Sequence, residues 1–591
     1  MKERTKEIII KFENEHNHSW YEELYLRNRK TLNDTALFYR GNCISYQIMF
    51  DKMQLLAGAM QSAGIKKGTE IPVCLSNSPE LVYVMGAASM LGAKINVFSA
   101  FFPLDYIKEI IDSCDSSIGF FEDNHFERIH VAVEATSLKR YVLSSLSDSL
   151  AKGFSPETVE GNDFVRFTSS VSELIAKSKP ACWFYDFLST GKNYNLLLND
   201  KVTLEDEFTV TYTSGSTNAL RPKAIVQCVR SFCVIGRFHD SDIMHGMSFK
   251  KIRGIAIIPP HSNTDLISSI SDTLMQGAVL TMEPVYHENF FLSSLLINQP
   301  SFVSATRSFW ITAAKQLRDN PQYKNVKLPF LLFAFAVGEE LSINEERFLN
   351  RTMRKANAGR DIIPLPFSFF CFSTAGGDCE HGSILYRLFR SVMNASLSSN
   401  SERRYGMTPF DFVDIAVLGA EGNILGLNQT GRLVANSPCT MKCYKNNPME
   451  TDAFFVHDNE GHTWGDMSVY GYMDKHGKVY MRNRILDNTQ GIPPFKIADE
   501  LLRDKDVLSC EVVKIKEQYV AHIELVPGCK KATNDVLKRV GLYCEKAFGK
   551  GITKNLFFRM HKGMNSFQLT RSGKRDIKAL IEEGTSLVLN Q

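Results

Sequence analysis

A stretch of small hydroxylic residues between positions 208 and 227 has the composition of a phosphate-binding loop. It reads FTVTYTSGSTNALRPKAIVQ, so that a β-branched run leads into a loop around Gly215, and Lys223 follows. Backbone N–H groups and hydroxyls of such a loop can surround phosphate oxygens, while a lysine adds a compact positive charge. The G-x-x-x-x-G-K-[ST] spacing of a Walker A loop is absent. The composition alone is therefore consistent with a phosphate loop and with an ordinary surface loop.

Further segments follow this loop in a fixed order along the chain. They are Pro260-His261, Gln276-Gly277-Ala278, Val337-Gly338-Glu339-Glu340, Gly377-Asp378-Cys379-Glu380, Trp464-Gly465-Asp466, Asn483-Arg484 and Leu569-Thr570-Arg571-Ser572-Gly573-Lys574. Together with the hydroxylic loop and Pro222-Lys223, this series resembles the motifs of the adenylate-forming superfamily. That superfamily includes acyl-CoA synthetases, nonribosomal peptide adenylation domains and luciferases. Each motif is weak by itself, and their shared order over almost the whole chain carries the resemblance.

The resemblance implies a role for each matching residue. The implied catalytic residues are Lys574, His261 and Thr217. The implied nucleotide-binding residues are Thr213, Ser214, Gly215, Ser216, Thr217, Lys223, Gly338, Glu339, Gly377, Asp378, Cys379, Asp466 and Arg484. Glu380 is the implied metal ligand, because Mg²⁺ prefers oxygen ligands. An aspartate such as Asp466 can bind both ribose hydroxyls, and the arginine presents a fork of donors.

Some positions depart from the family pattern. Two extra residues lengthen the loop before Pro222, Ala224 replaces a glycine, and Cys379 replaces a threonine. Gly376 stands where an aromatic residue often stacks on adenine. The segment 484–494 matches worst, and in relatives it is the hinge and thioester-forming loop. Of the two half-reactions that the resemblance implies, thioester formation is therefore the less supported.

Other polar positions leave alternatives open. Asp265 lies near the place where amino-acid-activating relatives bind the substrate ammonium, but it also sits at the start of a helical pattern, and we interpret it as a helix cap. His261 would line the acyl or thiol channel, or simply stand at a helix entry. His16 and His18 could ligate a metal, although a solvated polar segment is the simpler interpretation.

The elements that must position these motifs alternate between strand and helix from about residue 35. Such alternation predicts parallel sheets covered by helices. Asp105 is expected to cap the helix that follows it. The pattern predicts helices over 44–62 and 79–92 and strands over 70–75, 94–98 and 118–121.

Changes of pattern divide the chain further. Periodicity weakens over 154–204, which we interpret as an insertion, and from about 410 the sequence is typical of a small β-barrel or β-rich subdomain. A final α+β block follows residue 488. The predicted fold is therefore α/β, with a large N-terminal AMP-binding domain (1–486) of parallel sheets flanked by helices plus a β-barrel subdomain. A small mobile α+β domain (487–591) would carry the catalytic lysine.

Composition excludes several classes of protein. The chain has 591 residues, 44% of them hydrophobic and 23% charged, which rules out disorder. A net charge of only +3 provides no global field for nucleic acid or an anionic membrane. No apolar run reaches the ~20 residues of a membrane span. The 13 scattered cysteines, including the pair Cys439 and Cys443, predict reduced thiols and a cytoplasmic protein.

These observations together predict an ATP-dependent, AMP-forming carboxylate ligase. It would form an acyl-adenylate with ATP and Mg²⁺ and then a thioester with CoA or phosphopantetheine. The expected partners are a small carboxylic acid and, as an alternative acceptor to CoA, a separate acyl or peptidyl carrier protein. Two alternatives are a stand-alone amino-acid adenylation enzyme that loads a separate carrier protein, and a degenerate member that only binds nucleotide. The sequence does not identify the acid.

Overall fold

A computed structural model describes most of the chain. The described residues are 3–152, 181–198, 200–213, 221–236, 252–284, 287–339, 341–359, 373–387, 403–406, 412–484, 491–563, 567–570 and 573–589. Among these, no helix is long and apolar enough to span a membrane.

The described elements alternate as the sequence predicts. The helices are α1 (Glu3–Glu15), α2 (Trp20–Asn28), α3 (Tyr46–Ser62), α4 (Pro79–Leu91), α5 (Leu104–Asp112), α6 (Asp123–Glu134), α7 (Phe184–Thr190), α8 (Val229–Val234), α9 (Asp272–Met275), α10 (Glu288–Asn298), α11 (Arg307–Asp319), α12 (Ile343–Lys355), α13 (Pro448–Phe454), α14 (Pro494–Leu501), α15 (Thr533–Phe548) and α16 (Ile577–Leu589). A π-helix (Asp265–Ser271) precedes α9 directly.

The strands form four sheets. They are β1 (Thr35–Tyr39), β2 (Asn42–Ser45), β3 (Glu70–Cys74), β4 (Lys94–Val97), β5 (Ile118–Glu122), β6 (Arg140–Ser144), β7 (Ala181–Trp183), β8 (Glu207–Tyr212), β9 (Ala224–Cys228), β10 (Arg253–Ala256), β11 (Val279–Met282), β12 (Phe302–Thr306), β13 (Phe333–Val337), β14 (Ser373–Asp378), β15 (Gly382–Arg387), β16 (Arg403–Gly406), β17 (Asp414–Leu418), β18 (Gly431–Asn436), β19 (Cys443–Tyr444), β20 (Phe455–His457), β21 (Thr463–Met473), β22 (Val479–Arg484), β23 (Val507–Ile515), β24 (Gln518–Leu525) and β25 (Leu556–His561).

Two eight-stranded sheets dominate the large N-terminal part. Their orders are β15-β14-β13-β12-β10-β11-β1-β2 and β19-β9-β8-β4-β3-β5-β6-β7, and the runs from β14 to β1 and from β8 to β7 are parallel. Residues of both sheets and of α2, α3 and α4 share one hydrophobic core. Every residue of α4 is buried, because its sequence is apolar on all sides. In sheets of this kind, ligands bind at the carboxyl ends of the parallel strands.

A third sheet confirms the predicted β-rich subdomain. It is antiparallel, in the order β16-β22-β21-β18-β17 with β20 paired to β21. The C-terminal block has a sheet of its own, β23-β24-β25, and a separate core shared with α14 and α15. The predicted domain boundary at 486/487 lies outside the described residues and stays a prediction.

Some predicted boundaries were wrong in detail. Ile44 belongs to β2, and α3 begins only at Tyr46. Asp105 does not cap α5, whose cap position is Pro103, and its carboxylate instead pairs with Arg221 at 2.5 Å. Of the predicted insertion 154–204, the described part contains β7 and α7, so that this segment completes the edge of a sheet.

Candidate active site

The hydroxylic loop is held closed at its base. The backbone N–H of Thr213 donates to the carbonyl of Lys223 at 3.0 Å, and the Lys223 N–H donates to Thr213 Oγ1 at 3.1 Å. These bonds extend the antiparallel pair β8–β9, so the loop leaves and re-enters at adjacent points. The loop residues Ser214, Gly215, Ser216 and Thr217 lie outside the described residues.

Lys223 and Glu380 meet at one aromatic ring. The Lys223 ammonium lies 4.3 Å from the centre of the Tyr444 ring, and the Tyr444 hydroxyl donates to Glu380 Oε1 at 2.7 Å. Burial, and next the nearby charge of Asp378, raise the pKa of Glu380. A carboxyl group in this setting favours a bound cation, because the cation compensates the charge that burial penalises. The lysine predicted to bind phosphate and the predicted metal ligand therefore contact the same tyrosine.

Two predicted loops lie at the carboxyl ends of neighbouring strands. Gly338 and Glu339 follow β13, and β14, which is parallel to β13, ends at Asp378. Asp378 Oδ1 accepts hydrogen bonds from the backbone and ring of His381 at 2.7 and 2.8 Å. Gly377 is exposed and Cys379 half-buried at the same edge. The two loops predicted to bind the nucleotide thus lie side by side at one edge of the sheet.

Asp466 lies close to the Glu380 loop through its neighbour Gly465. A Cβ built on Gly465 would come within 2.3 Å of the buried His381 Nε2, so only glycine fits between the two motifs. Asp466 is buried and accepts from Arg432 Nη2 at 2.5 Å and from the Ser468 N–H at 2.9 Å. These two donors hold the carboxylate in one orientation.

The backbone of Arg484 ends β22 and pairs with Val469 of β21. Its place in the sheet is therefore three residues along β21 from Asp466. The side chain of Arg484 lies outside the description, so its predicted contact with ribose or phosphate stays a prediction.

Lys574 of the C-terminal block lies directly over Gly338. A Cβ built on Gly338 would be 2.9 Å from Lys574 Cε and 3.5 Å from Nζ. Gly338 also has a φ of +76°, a left-handed conformation that favours glycine. The next residue, Arg575, donates its backbone N–H to Glu339 Oε1 at 2.8 Å. The turn carrying the predicted catalytic lysine is thereby bonded to the loop predicted to lie beside the nucleotide.

A network of four charged side chains, three of them buried, holds this turn in place. Arg575 donates to Glu511 at 2.8 Å and to Glu345 at 3.1 Å, while Arg307 lies 3.3 Å from Glu511 and 3.8 Å from Glu345. The side chain of Glu345 is 1% exposed, and its other oxygen accepts the Ser342 N–H in the capping box of α12. Helix α12 thus fixes the carboxylate to which the C-terminal block binds. The four charges sum to zero across the contact.

The two polar residues near the π-helix have different surroundings. His261 accepts the Tyr212 N–H with its carbonyl at 2.9 Å, which brings it beside the hydroxylic loop, and its ring faces Phe102. Burial lowers the pKa of His261 to about 4, so its ring is neutral at neutral pH. The prediction that Asp265 caps a helix was wrong. The cap position is Thr264, which is itself helical, and the Asp265 side chain is fully buried instead.

One known protein family matches most of this chain. A sequence profile of the family described as AMP-binding enzyme matches residues 26–445 of the 591. The chain belongs to the AMP-binding enzyme family. Acetyl-coenzyme A synthetase of Bradyrhizobium diazoefficiens is 21% identical to this AMP-binding enzyme over 422 residues, which cover 68% of this chain and 58% of that protein. The chain thus matches less than two thirds of the length of that relative.

Solved structures share the fold of this AMP-binding enzyme. The anthranilate CoA ligase AuaEII, in complex with anthranoyl-AMP, has a TM-score of 0.72 and 14% identity, covering 96% of this chain and 97% of that one. The amide bond synthetase McbA from Marinactinospora thermotolerans has a TM-score of 0.68 and 16% identity, covering 95% and 99%. At these identities the likeness shows the fold alone. It confirms the predicted α/β class, and with the family match it confirms the predicted superfamily.

Some residues that shape this site of the AMP-binding enzyme were missed by the sequence analysis. Tyr444, Arg432 and Glu345 belong to no motif that the resemblance supplied. The only local signal was at Glu345, where Ser342 followed by Glu three positions later is a capping box. Tyr444 lies on a two-residue strand whose place beside β9 depends on long-range pairing.

The metal role predicted for Glu380 gives a first testable prediction. Glu380→Gln keeps the shape and can still accept the Tyr444 hydroxyl, but it removes the charge. We expect the apparent affinity for Mg²⁺ in ATP-dependent turnover to fall by about 10–100-fold, as for other changes at metal sites. The matched control is Glu450→Gln, which removes an exposed carboxylate 3.1 Å from Lys223. Wild-type kinetics of Glu380→Gln at limiting Mg²⁺ would assign Glu380 a structural role only.

Proposed function

We propose that this chain is an ATP-dependent, AMP-forming carboxylate ligase that makes an acyl-adenylate and then transfers the acyl group to a thiol. The observation that carries the proposal is the position of Lys574. Its Nζ would lie 3.5 Å from a Cβ atom built on Gly338. A lysine at this loop suits a reaction in which negative charge develops on phosphate oxygens. Membership of the AMP-binding enzyme family supports the nucleotide part of the proposal.

Each charged group has a task in this proposal. Thr213 and Lys223 close the phosphate loop, and the Lys223 ammonium, which lies over the Tyr444 ring and pairs with Glu450, would bind phosphate oxygens. Glu380 would hold Mg²⁺, which would neutralise phosphate charge, and its buried oxygen donor fits a hard cation. Asp466, fixed by Arg432, would accept the ribose hydroxyls. Lys574 would stabilise the charge that develops during attack of the substrate carboxylate on the α-phosphate.

The division into domains is part of the proposal. Residues 1–486 would bind ATP and the acid, and residues 487–591 would bring Lys574 to the site and remove it. The separate core of α14, α15 and the last sheet supports a unit that can move as a body.

The test is exchange of pyrophosphate into ATP across a panel of fatty, aromatic and amino acids. Exchange that depends on one class of acid would support the proposal and identify the substrate class. A thiol product is then sought with CoA and with a carrier protein. If no acid supports exchange while ATP still binds, the chain is a nucleotide-binding member without ligase chemistry.

A second candidate function, activation of an amino acid, is favoured by Asp265. Burial raises the pKa of this carboxyl well above its ordinary value, although Ser269, Asn77 and the backbone of Ile258 approach it and lower that pKa. Within the described residues these approaches do not reach ordinary hydrogen-bond geometry at either oxygen. Buried oxygens of neighbouring side chains lack partners in the same region: Asn77, Asn263, Ser268 and Ser269. A buried acid beside unsatisfied acceptors calls for a donor from elsewhere, and a substrate ammonium would supply one.

Asp265→Asn tests this second candidate. If the substrate carries an ammonium group, the amide leaves that charge unpaired, which costs roughly 3–5 kcal/mol, or about 10²–10³-fold or more in kcat/KM. The same acid without its amino group serves as the substrate control and should be little affected. Unchanged selectivity between the two acids would exclude Asp265 as the ammonium partner. The variant should fold, because asparagine has the same shape and removes a buried titratable group.

A further inference from the structure

Two histidines and a glutamate meet in the C-terminal block, away from the candidate active site. His522 lies on β24 and His561 at the end of β25, two residues beyond Arg559, the partner of His522 in the parallel register. Glu583 lies on α16, which covers this face of the sheet through Leu580 in a core with Val513 and Val520. The three side chains thus come from three different elements of one folded unit.

The ligand atoms of these residues are close to the spacing of a zinc site. His522 Nδ1 is 2.9 Å from His561 Nε2, and His561 Nε2 is 3.8 Å from Glu583 Oε2. All three ligand atoms lie within 4.8 Å of one another. Tetrahedral Zn²⁺ with bond lengths of about 2.0–2.2 Å requires ligand atoms about 3.3 Å apart. The two observed distances lie about half an ångström on either side of that value, and the ligand atoms of His522 and Glu583 are at most 4.8 Å apart.

Burial and ring packing favour a defined site with an entrance. His522 is fully buried, the His561 side chain is 8% exposed, and Glu583 is 34% exposed. His561 is oriented by a stacked contact with Phe567, at 4.5 Å between ring centres. A cation could enter past Glu583, and water could complete its coordination. Arg559 lies 3.8 Å from Glu583 Oε2, but it is more than half exposed and this contact is weak.

A second His/His/Glu cluster in the N-terminal segment provides an internal comparison. There, Glu23 Oε2 is bonded to His16 at 2.8 Å and to His18 at 2.7 Å, while Oε1 accepts from Arg27 at 2.6 Å. Both oxygens of that carboxylate are engaged by strong hydrogen bonds, so a metal would have to displace three partners. Within the part of the chain that the structure describes, the carboxylate of the C-terminal cluster has only contacts of 3.8 Å, and a metal would have to displace the His522–His561 hydrogen bond of 2.9 Å. The N-terminal cluster is therefore an ion network, and the two clusters are chemically different.

We propose that His522, His561 and Glu583 form a binding site for Zn²⁺ or a similar borderline divalent cation, joining β24, β25 and α16. Nitrogen ligands disfavour Mg²⁺, so this site is distinct from the one assigned to Glu380. Its occupancy would stabilise the C-terminal block. The site is also close to the turn of Lys574. The Phe567 ring, which stacks on His561, lies 4.0 Å from the guanidinium of Arg575, the residue after Lys574.

The experiment titrates Zn²⁺ into the full chain after removal of metal with a chelator. We expect one equivalent to bind and the midpoint of thermal unfolding to rise, with no such rise in Mg²⁺. The double variant His561→Gln/Glu583→Gln, which spares the fully buried His522, should lose at least tenfold in affinity and the thermal shift. The matched control His16→Gln/His18→Gln should keep both.

Co²⁺ provides a separate readout of the ligand type. Bound in place of Zn²⁺, it should give visible bands of a nitrogen and oxygen site without the near-ultraviolet thiolate band that cysteine ligation produces. Binding that survives in the double variant, that disappears in the His16/His18 control, or that carries a thiolate band would overturn the proposal. Failure to take up stoichiometric zinc at micromolar concentrations would do the same. None of these outcomes depends on ligase activity, so the zinc proposal and the proposed function can fail independently.

Discussion

Lys574→Ala should lower the rate of adenylate formation by about 10²–10³-fold, or roughly 3–4 kcal/mol, because one donor to the transition-state charge is lost. A lysine ammonium beside the Gly338 loop stabilises the charge that builds around the α-phosphate more than it stabilises the ground state, and this difference raises the rate. Thiol transfer from supplied acyl-adenylate should remain near the wild-type rate, since the proposed movement of residues 487–591 would by then have taken the lysine away. Each half-reaction is to be measured separately, in wild type and variant.

The control for Lys574→Ala is a nearby lysine that lies outside the turn. Lys578→Ala removes an exposed charge from the first turn of α16 and should leave both half-reactions unchanged. Adenylation by Lys574→Ala at close to wild-type speed would remove this lysine from the mechanism. An equal loss in both half-reactions would indicate instead that the turn has a general structural role.

Arg575→Met should lower adenylation by about 10–100-fold, which corresponds to roughly 1.4–2.8 kcal/mol. The change leaves the carboxylates of Glu345, which is buried, and Glu511, which is 27% exposed, with Arg307 as the remaining cation of this network. Breaking a buried ion pair costs roughly 3–5 kcal/mol, and part of that cost would be relieved if the C-terminal block moves away as proposed. The time that Lys574 spends beside Gly338 should therefore fall, so kcat for adenylation should decrease while the KM for ATP changes little.

A second change can show whether the charge imbalance is the cause. Arg575→Met combined with Glu511→Gln restores the balance of one positive and one negative charge, and it should recover part of the lost rate. The control Arg539→Met breaks a pair with Asp504 inside the C-terminal block, so it should lower stability without this effect on kcat. No recovery in the double variant, with a loss as large in Arg539→Met, would contradict a positioning role for Arg575.

The sequence could predict the parts of the site that lie in continuous motifs. The loops of Gly338 and Asp378 follow neighbouring strands, and strand–helix alternation is enough to bring such loops to one sheet edge. The ion network could not be predicted in this way, because Arg307, Glu345 and Glu511 are far apart in sequence and their meeting depends on how two blocks dock. The predicted helix cap at Asp265 was wrong for a local reason. The helical conformation already includes Thr264, so a residue that resembles a cap in sequence is turned into the core.

If the C-terminal block rotates to admit a thiol acceptor, as proposed, the docking of the two blocks sets how readily it can do so. Leu508 of β23 is fully buried in the core formed by α10, α11 and α12, and Asn344 of α12 donates to the carbonyls of Leu502, Asp504 and Val507. Any arrangement that rotates the C-terminal block must expose this leucine, at about 1.5–3 kcal/mol for the side chain alone. The rotated state is then populated about 10–150-fold less than it would otherwise be. The apparent dissociation constant of an acceptor that binds only that state rises by the same factor, so the chain would need an abundant or tightly binding thiol.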